Sequence, residues 1–351
     1  MNEVMKAIGF HQSENDLCLF TKFHKGSYVY VVLYVDDFFV FHNDVSEKNK
    51  LFDELKKHFS IKDLGNAKQM LGMNLTRDAN SIYLNQSDFV DDILQTYGFS
   101  NAKGIKTPME HNLYLFKAEG TCDADDVNGT FQAVIGSLMY LATHTRPDIA
   151  HVVSYLSQFN NAHNSEHWNQ VKRVLRYLVS TRTLSLRYSK TGNLNFEAFC
   201  DSSWGNDVET GRSFAGHVFK LAGGPVVWES RKQKSVTRSS CEAEYVAASD
   251  ASAESKYLRR FLAELLRRPK AIVTIYIDSQ SAMKMAENCR FRHRSKHISI
   301  KYHFIRERIS KGKLRLEYVP TAEMTADILT KGLPRSEYGN SLIMQLFCLF
   351  V

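Results

Sequence analysis

Ser239-Ser240-Cys241-Glu242-Ala243-Glu244-Tyr245 stands where three strand-like runs give way to a long helical one, and that change of period decides the fold of the second half of the chain. Before it, residues 194–200, 213–221 and 225–229 have the length and apolar character of strands. After it, residues 241–266 repeat apolar side chains at helical spacing. A strand at 272–277, a helix at 279–287, a basic helix at 298–309, a strand at 314–319 and a last helix at 324–331 follow. The order is βββαβααβα; if the helix after the third strand is a crossover, the fourth strand lies beside the first and parallel to it.

That layout collects acids. Asp201 closes the first strand in Phe199-Cys200-Asp201-Ser202-Ser203-Trp204, and Asp278 closes the fourth in Ile275-Tyr276-Ile277-Asp278-Ser279-Gln280. Parallel neighbours would bring both to the edge where open sheets hold ligands. Glu242 and Glu244 compete for a third place. Ser239 and Glu242 have capping-box spacing, the serine capping the helix and the glutamate folding back to the serine amide, which leaves Glu244 free. Asp327 is the lone acid among the apolar and small residues of Met324-Thr325-Ala326-Asp327-Ile328-Leu329. Taken singly, each acid is more often a cap or a solvated side chain, and Asp278 before Ser279 has the position of a helix start. Taken together, four converging carboxylates suit two hard cations about 4 Å apart, magnesium or manganese, of the kind that clamp the attacking and leaving oxygens of a phosphodiester.

In the first half, apolar runs at 28–34 and 38–41 flank Val35-Asp36-Asp37, a strand, an acidic turn and a strand. Helical patterns follow at 48–59, 87–97, 131–143, 149–159 and 168–179, and the polar stretch within 183–195 places a domain boundary. The segment after Pro334 lies outside the pattern.

With 351 residues the chain suits about two domains. A hydrophobic content of 44% with 24% charged residues belongs to a folded globular protein rather than a disordered one. No apolar run approaches the ~20 residues that span a bilayer, and no secretory signal opens the sequence, so an intracellular compartment is expected. Six scattered cysteines without a Cys-x-x-Cys pair argue for reduced thiols rather than zinc or disulfides. The net charge of +7 says little by itself. From Arg290 to Arg315, however, ten basic residues face the single acid Glu307, the footprint of a polyanion-binding surface.

The fuller wording of three stretches is specific. Residues 239–245, the run Lys296-His297-Ile298-Ser299-Ile300-Lys301-Tyr302-His303-Phe304-Ile305-Arg306-Glu307, and Ala326-Asp327-Ile328-Leu329-Thr330-Lys331 resemble the ribonuclease H region of Ty1/copia-type retrotransposon Pol polyproteins. Upstream, Tyr34-Val35-Asp36-Asp37, Ile61-Lys62-Asp63-Leu64-Gly65-Asn66-Ala67-Lys68, Leu71-Gly72-Met73, Ile135-Gly136-Ser137-Leu138-Met139-Tyr140-Leu141-Ala142 and Thr145-Arg146-Pro147-Asp148-Ile149-Ala150 resemble the reverse transcriptase part of the same polyproteins, so the likeness covers nearly all of residues 1–334.

The resemblance implies an α+β N-terminal part, a partial reverse transcriptase palm with helical thumb and connection, then an α/β ribonuclease H-like domain with a five-stranded mixed sheet. The divisions it suggests are 1–107 for palm and thumb, 108–190 for the connection, 191–334 for the nuclease domain and 335–351 for a tail. It implies magnesium-dependent cleavage of the RNA strand of RNA:DNA hybrids, with two ions on Asp201, Glu244, Asp278 and Asp327, or manganese in their place. Asp36 and Asp37 take the place of the polymerase metal pair. Arg292, Arg294, Lys296, Lys301, Arg306 and Arg308 are the expected phosphate contacts. The expected partners are the hybrid, template-primer nucleic acid and the rest of Pol, with no membrane, in a cytoplasmic particle or the nucleus.

Two departures matter. Cellular members of the fold often carry a catalytic histidine just before the last helix, where this chain reads Val319-Pro320-Thr321-Ala322-Glu323. Only 35 residues precede Asp36, Asp16 is too close to serve as the third palm aspartate, and polymerisation by this chain alone is not expected. The rival readings are a decayed or domesticated element that binds nucleic acid without catalysis, and an integrase or transposase on the same fold, which would need different acid spacing.

Overall fold

The apolar runs around Val35-Asp36 form the expected hairpin, and the strands before it, which no alternation announced, complete a small sheet. In the computed structural model, α1 (Asn2–Ala7), β1 (His11–Gln12), β2 (Leu19–His24), β3 (Ser27–Tyr34), β4 (Asp37–His42) and α2 (Val45–Lys56) follow one another. The four strands pair in sequence order, all antiparallel. Met5, Phe10, Phe20, Val29, Val31, Leu51 and Leu55 form the core between sheet and helices. Asp44 starts α2 by accepting from the Ser46 amide at 2.8 Å, which places the helix three residues earlier than its apolar period suggested.

The structure describes residues 1–118, 130–191, 196–287, 299–338 and 346–349. They divide into two compact units, Met1–Lys68 with Glu254–Ala271, and Gln69–Ala253 with Ile272–Val351. The second unit runs across the divisions expected at 107/108 and 190/191. It opens with β5 (Gln69–Met70), β6 (Met73–Arg77) and β7 (Ser81–Asn85), then α3 (Ser87–Thr96), α4 (Thr130–His144), α5 (Ala150–Ser157) and α6 (Ser165–Ser180). The stretch expected to link two domains is itself partly a strand, β8 (Leu184–Ser189), antiparallel to β7 in the register Ser81↔Ser189.

The C-terminal segment is also built in rather than a free tail. Tyr338 is buried and its hydroxyl donates to the Asp148 carbonyl at 2.6 Å. The Asp148 carboxylate in turn accepts from Arg146 and from the Tyr177 hydroxyl, each at 2.7 Å. Arg146 is only 2% exposed, so this charge pair is stable inside only because each group is fully bonded.

The remaining elements are β9 (Glu197–Ser203), β10 (Phe214–Leu221), β11 (Gly224–Lys232), α7 (Ser240–Leu265), β12 (Val273–Ile277), α8 (Gln280–Glu287), α9 (Ser299–Ser310) and β13 (Leu314–Tyr318). A final strand, β14 (Phe347–Leu349), pairs with β8. The sheet order is β11-β10-β9-β12-β13, with β9, β10 and β11 antiparallel and β12 parallel to both β9 and β13. This is the five-stranded mixed sheet expected of an α/β second half. The expected last α-helix is instead a five-residue 3₁₀ turn, Thr325–Leu329, buried throughout. Among the described residues no helix is long and apolar enough to cross a membrane.

Candidate active site

The parallel ladder between β9 and β12 ends at Phe199↔Tyr276, whose rings stack at 4.9 Å. Asp201 and Asp278 lie two residues further on each strand, so the period of two sends both carboxylates to the same face as those rings. Glu244 reaches them from the first turns of α7. Asp201, Glu244 and Asp278 offer oxygens that all lie within 4.8 Å of one another. The neighbouring Glu242 is kept out by its own bonds. Glu242 is held at the start of α7, its amide donating to Ser239 and its carboxylate accepting from the Arg238 amide at 2.9 Å, one residue before the amide the capping-box spacing named. Ser279, by accepting from the Ala282 amide, caps α8 and frees Asp278 from that role.

Asp327 arrives by a different route. Gly216 on β10 is paired directly with Asp201. A Cβ at Gly216 would lie 2.5 Å from Leu329 Cβ and 3.0 Å from Thr330 Cγ2, so only glycine lets the 325–330 turn settle on the sheet here. The turn brings Thr330, whose hydroxyl donates to Asp201, and Asp327, which pairs with Lys331 at 2.9 Å. The same ammonium is 4.0 Å from Asp201. Thr321 donates to Asp278 at 2.7 Å and the Ser202 amide to Glu244 at 3.2 Å. Thr321, Thr330, Lys331 and Gly216 carried no expectation; Thr330 and Lys331 do follow Asp327 at the i+3 and i+4 spacing that shares one face.

The electrostatics favour a cation. Burial, reinforced by Asp201 and Asp278, pushes the Glu244 carboxyl well above the ordinary range. Burial raises Asp278 as well, against the Thr321 hydroxyl. Asp327 is pushed up to about 8, by burial first and Asp201 next, while Lys331 pulls the other way. Glu244 Oε2 and Asp327 Oδ1 are buried oxygens without a hydrogen-bond donor. Unsatisfied acceptors of one sign in a buried cluster are what a hard cation relieves, so the donor set fits a divalent metal.

The other expected site residues are placed differently. Asp36 and Asp37 are exposed at the hairpin tip, where Val35 takes φ 51°, a left-handed conformation unfavourable for a β-branched residue. Among the described residues the one group of three metal-competent side chains is that of Asp201, Glu244 and Asp278, and the hairpin pair is not part of it. Arg292, Arg294 and Lys296 lie outside the described residues, and Lys301 falls on α9 without a described side chain. Arg306 is half-buried and Arg308 buried. Arg306 donates to the Met285 carbonyl at 2.8 Å, and Arg308, 6% exposed, lies over the Phe304 ring.

Residues 1–111 match the family model described as reverse transcriptase (RNA-dependent DNA polymerase). The chain is 35% identical over 341 residues to the Retrovirus-related Pol polyprotein from transposon TNT 1-94 of Nicotiana tabacum, covering 95% of this chain and 26% of that protein. It is also 33% identical over 252 residues to the putative transposon Ty5-1 protein of Saccharomyces cerevisiae, covering 71% of this chain and 81% of that one. The chain belongs to the Ty1/copia-type retrotransposon Pol family. It spans about a quarter of the length of the Pol polyproteins it matches, 26% in the tobacco relative and 23% in another from Arabidopsis thaliana. Among solved structures, RNase H1 from Halobacterium salinarum aligns with 39% of this Pol chain and 94% of its own, at 20% identity and a TM-score of 0.29.

Proposed function

We propose that this Pol segment is a ribonuclease H that cleaves the RNA strand of RNA:DNA hybrids with magnesium. The observation that carries the reading is the convergence of Asp201, Glu244 and Asp278 within 4.8 Å at the end of two parallel strands, with Asp327 beside Asp201. Asp201, Glu244 and Asp278 would hold one ion, and Asp201 with Asp327 the other. The chemistry that bound magnesium supplies is activation of a water and neutralisation of charge on the leaving oxygen.

The chain's own residues prepare that chemistry. Thr330 and Thr321 fix the carboxylates of Asp201 and Asp278 by single hydrogen bonds, which limits their rotation before substrate arrives. The Ser202 amide does the same for Glu244. Trp204, three residues beyond Asp201, 53% exposed and lining a cavity with Lys331, would offer a flat face to a nucleotide. The basic stretch from Arg290 to Lys301 supplies sequence-independent attraction for phosphates, and the 2′-hydroxyl and helix shape would select hybrid over duplex DNA.

The test is cleavage of a labelled RNA annealed to DNA, in magnesium and in EDTA. The reading expects internal cuts in the RNA that require the metal and disappear with Asp201→Asn. Absence of cutting together with tight hybrid binding would favour a nucleic-acid-binding remnant instead.

A further inference from the structure

One carboxylate of the quartet is set apart from the other three. Asp201, Glu244 and Asp278 form a group that a single cation can satisfy, whereas Asp327 lies outside it and gives an oxygen to the Lys331 ammonium at 2.9 Å. That ammonium is also 4.0 Å from Asp201. A positive charge of this chain therefore already sits against the two carboxylates that a second ion would have to bridge. An ammonium and a second ion would compete for the same Asp327 oxygen, since the lysine already pairs with it at 2.9 Å.

Lys331 also borders open space. Its side chain is 34% exposed and lines a cavity of about 200 Å³ together with Ser203, Trp204 and His111. The group is a compact point charge on a four-carbon stem, suited to swinging from a carboxylate to a phosphate without backbone movement. Thr330, one residue earlier, holds Asp201 in place independently of the lysine, so departure of the ammonium need not collapse the site.

We propose that Lys331 occupies the second cation position in the substrate-free protein, so that the chain binds one divalent ion alone and admits the second only when a phosphate draws the lysine away from Asp327. Lys331 is then a positioning residue that sets the order of assembly, nucleic acid before the second ion. The inference rests on the hydrolase reading above, and its consequence is chemical economy: the complete two-ion site exists only with a phosphate in it. A lysine that served merely as structural counter-charge would affect thermal stability and leave the number of ions unchanged.

The experiment is a count of bound Mn²⁺ by electron paramagnetic resonance on the full chain, without nucleic acid. Wild type is expected to bind one ion, with a second only upon addition of a hybrid carrying 2′-deoxy residues at the cut positions. Lys331→Met should bind two ions without nucleic acid, the second roughly tenfold more tightly than in wild type, from loss of the ammonium. Lys331→Arg, which keeps the charge, should still bind one. Lys331→Gln keeps a donor for Asp327 and should behave as Lys331→Met, which covers the case in which the methionine variant does not fold. Two equivalent ions on free wild type, or one ion on both neutral variants, would overturn the proposal while leaving the hydrolase reading intact. No ion on wild type would overturn both.

Discussion

Two places in this chain hold aspartates at the end of a strand, and they have been treated differently by the fold. At the Tyr34–Asp37 hairpin, Asp36 and Asp37 are adjacent in sequence, exposed, and carried on a two-residue turn that forces Val35 to φ 51°. At the β9/β12 edge, four acids from four separate elements meet: Asp201 and Glu244 are 2% and 7% exposed, and Asp327 4%. Adjacency in sequence therefore does not by itself gather or bury carboxylates. Convergence requires parallel strands, a crossover helix and a glycine opposite the key aspartate, and those features make burial and mutual repulsion tolerable only when a cation is supplied.

Removing carboxylates should separate the two places most sharply. Glu244→Gln and Asp278→Asn are expected to lower metal-dependent hybrid cleavage on the order of a hundred- to thousandfold, the scale of losing a charge-stabilising group. Asp36→Asn and Asp37→Asn should leave the same rate within about twofold. Comparable losses at both places, measured in single-turnover reactions, would erase the distinction.

Gly216→Val tests how Asp327 is delivered. The added side chain meets Leu329 and Thr330, and overpacking of this kind costs about 1–3 kcal/mol, with cleavage falling further than stability because the 325–330 turn is displaced from Asp201. Gly136→Ala, in α4 with nothing within 4 Å of the new Cβ, is the matched control and should preserve both. Thermal melts and cleavage rates on the two variants decide it.

The buried acids also predict a pH dependence. Glu244 and Asp327 have folded pKa values raised above their ordinary ones, so the folded state holds protons that the unfolded chain releases. Their favourable contribution is complete below the unfolded values near 4 and is lost as pH rises through the folded ones, about 8 for Asp327. His151 and His217 act with the opposite sign. Burial lowers them to about 3 and about 4, so their contribution is complete above pH 6.5 and is lost only on acidification. Between pH 7 and 9 the acids should govern, joined near pH 9 by the buried Cys200 thiol, which burial pushes well above its ordinary value. The metal-free protein should melt at a lower temperature at pH 9 than at pH 7, and Mg²⁺ should raise the melting temperature more at pH 9. A flat profile without metal would remove the electrostatic argument.

The smallest expected effect lies at the hairpin. Val35→Gly relieves a left-handed φ and should stabilise the unit containing it by about 1 kcal/mol, with no change in hybrid cleavage. A fall in cleavage would tie the hairpin to the nuclease site and contradict the comparison.

Much of this was legible before any coordinates. The βββαβααβ part of the order and the parallel strands that lead to Asp201 and Asp278 follow from period and strand ends. What escaped notice shares one physical cause, dependence on partners distant in sequence. β8 reads as a polar link because its pairing with β7 joins residues about a hundred apart, as in Tyr83↔Arg187. The terminal segment looked detached because Tyr338 finds its acceptor at Asp148 and β14 its partner at β8. The 3₁₀ turn at 325–329 reads as α-helix until the missing side chain at Gly216 is seen beneath it. The burial of Arg308 was hidden for the opposite reason: a charge run gives composition, whereas the facing of each side chain is set by its surroundings.

The central claim is that the β9/β12 quartet, and not the hairpin, is a metal-dependent nuclease site. Wild type, Asp201→Asn and the Asp36→Asn/Asp37→Asn double variant, purified alike, should be compared on one 5′-labelled RNA:DNA hybrid in magnesium. Internal RNA cleavage by wild type and by the hairpin variant, with none by Asp201→Asn, is the predicted result. Cleavage that survives Asp201→Asn, or no cleavage by any of the three, would contradict the account.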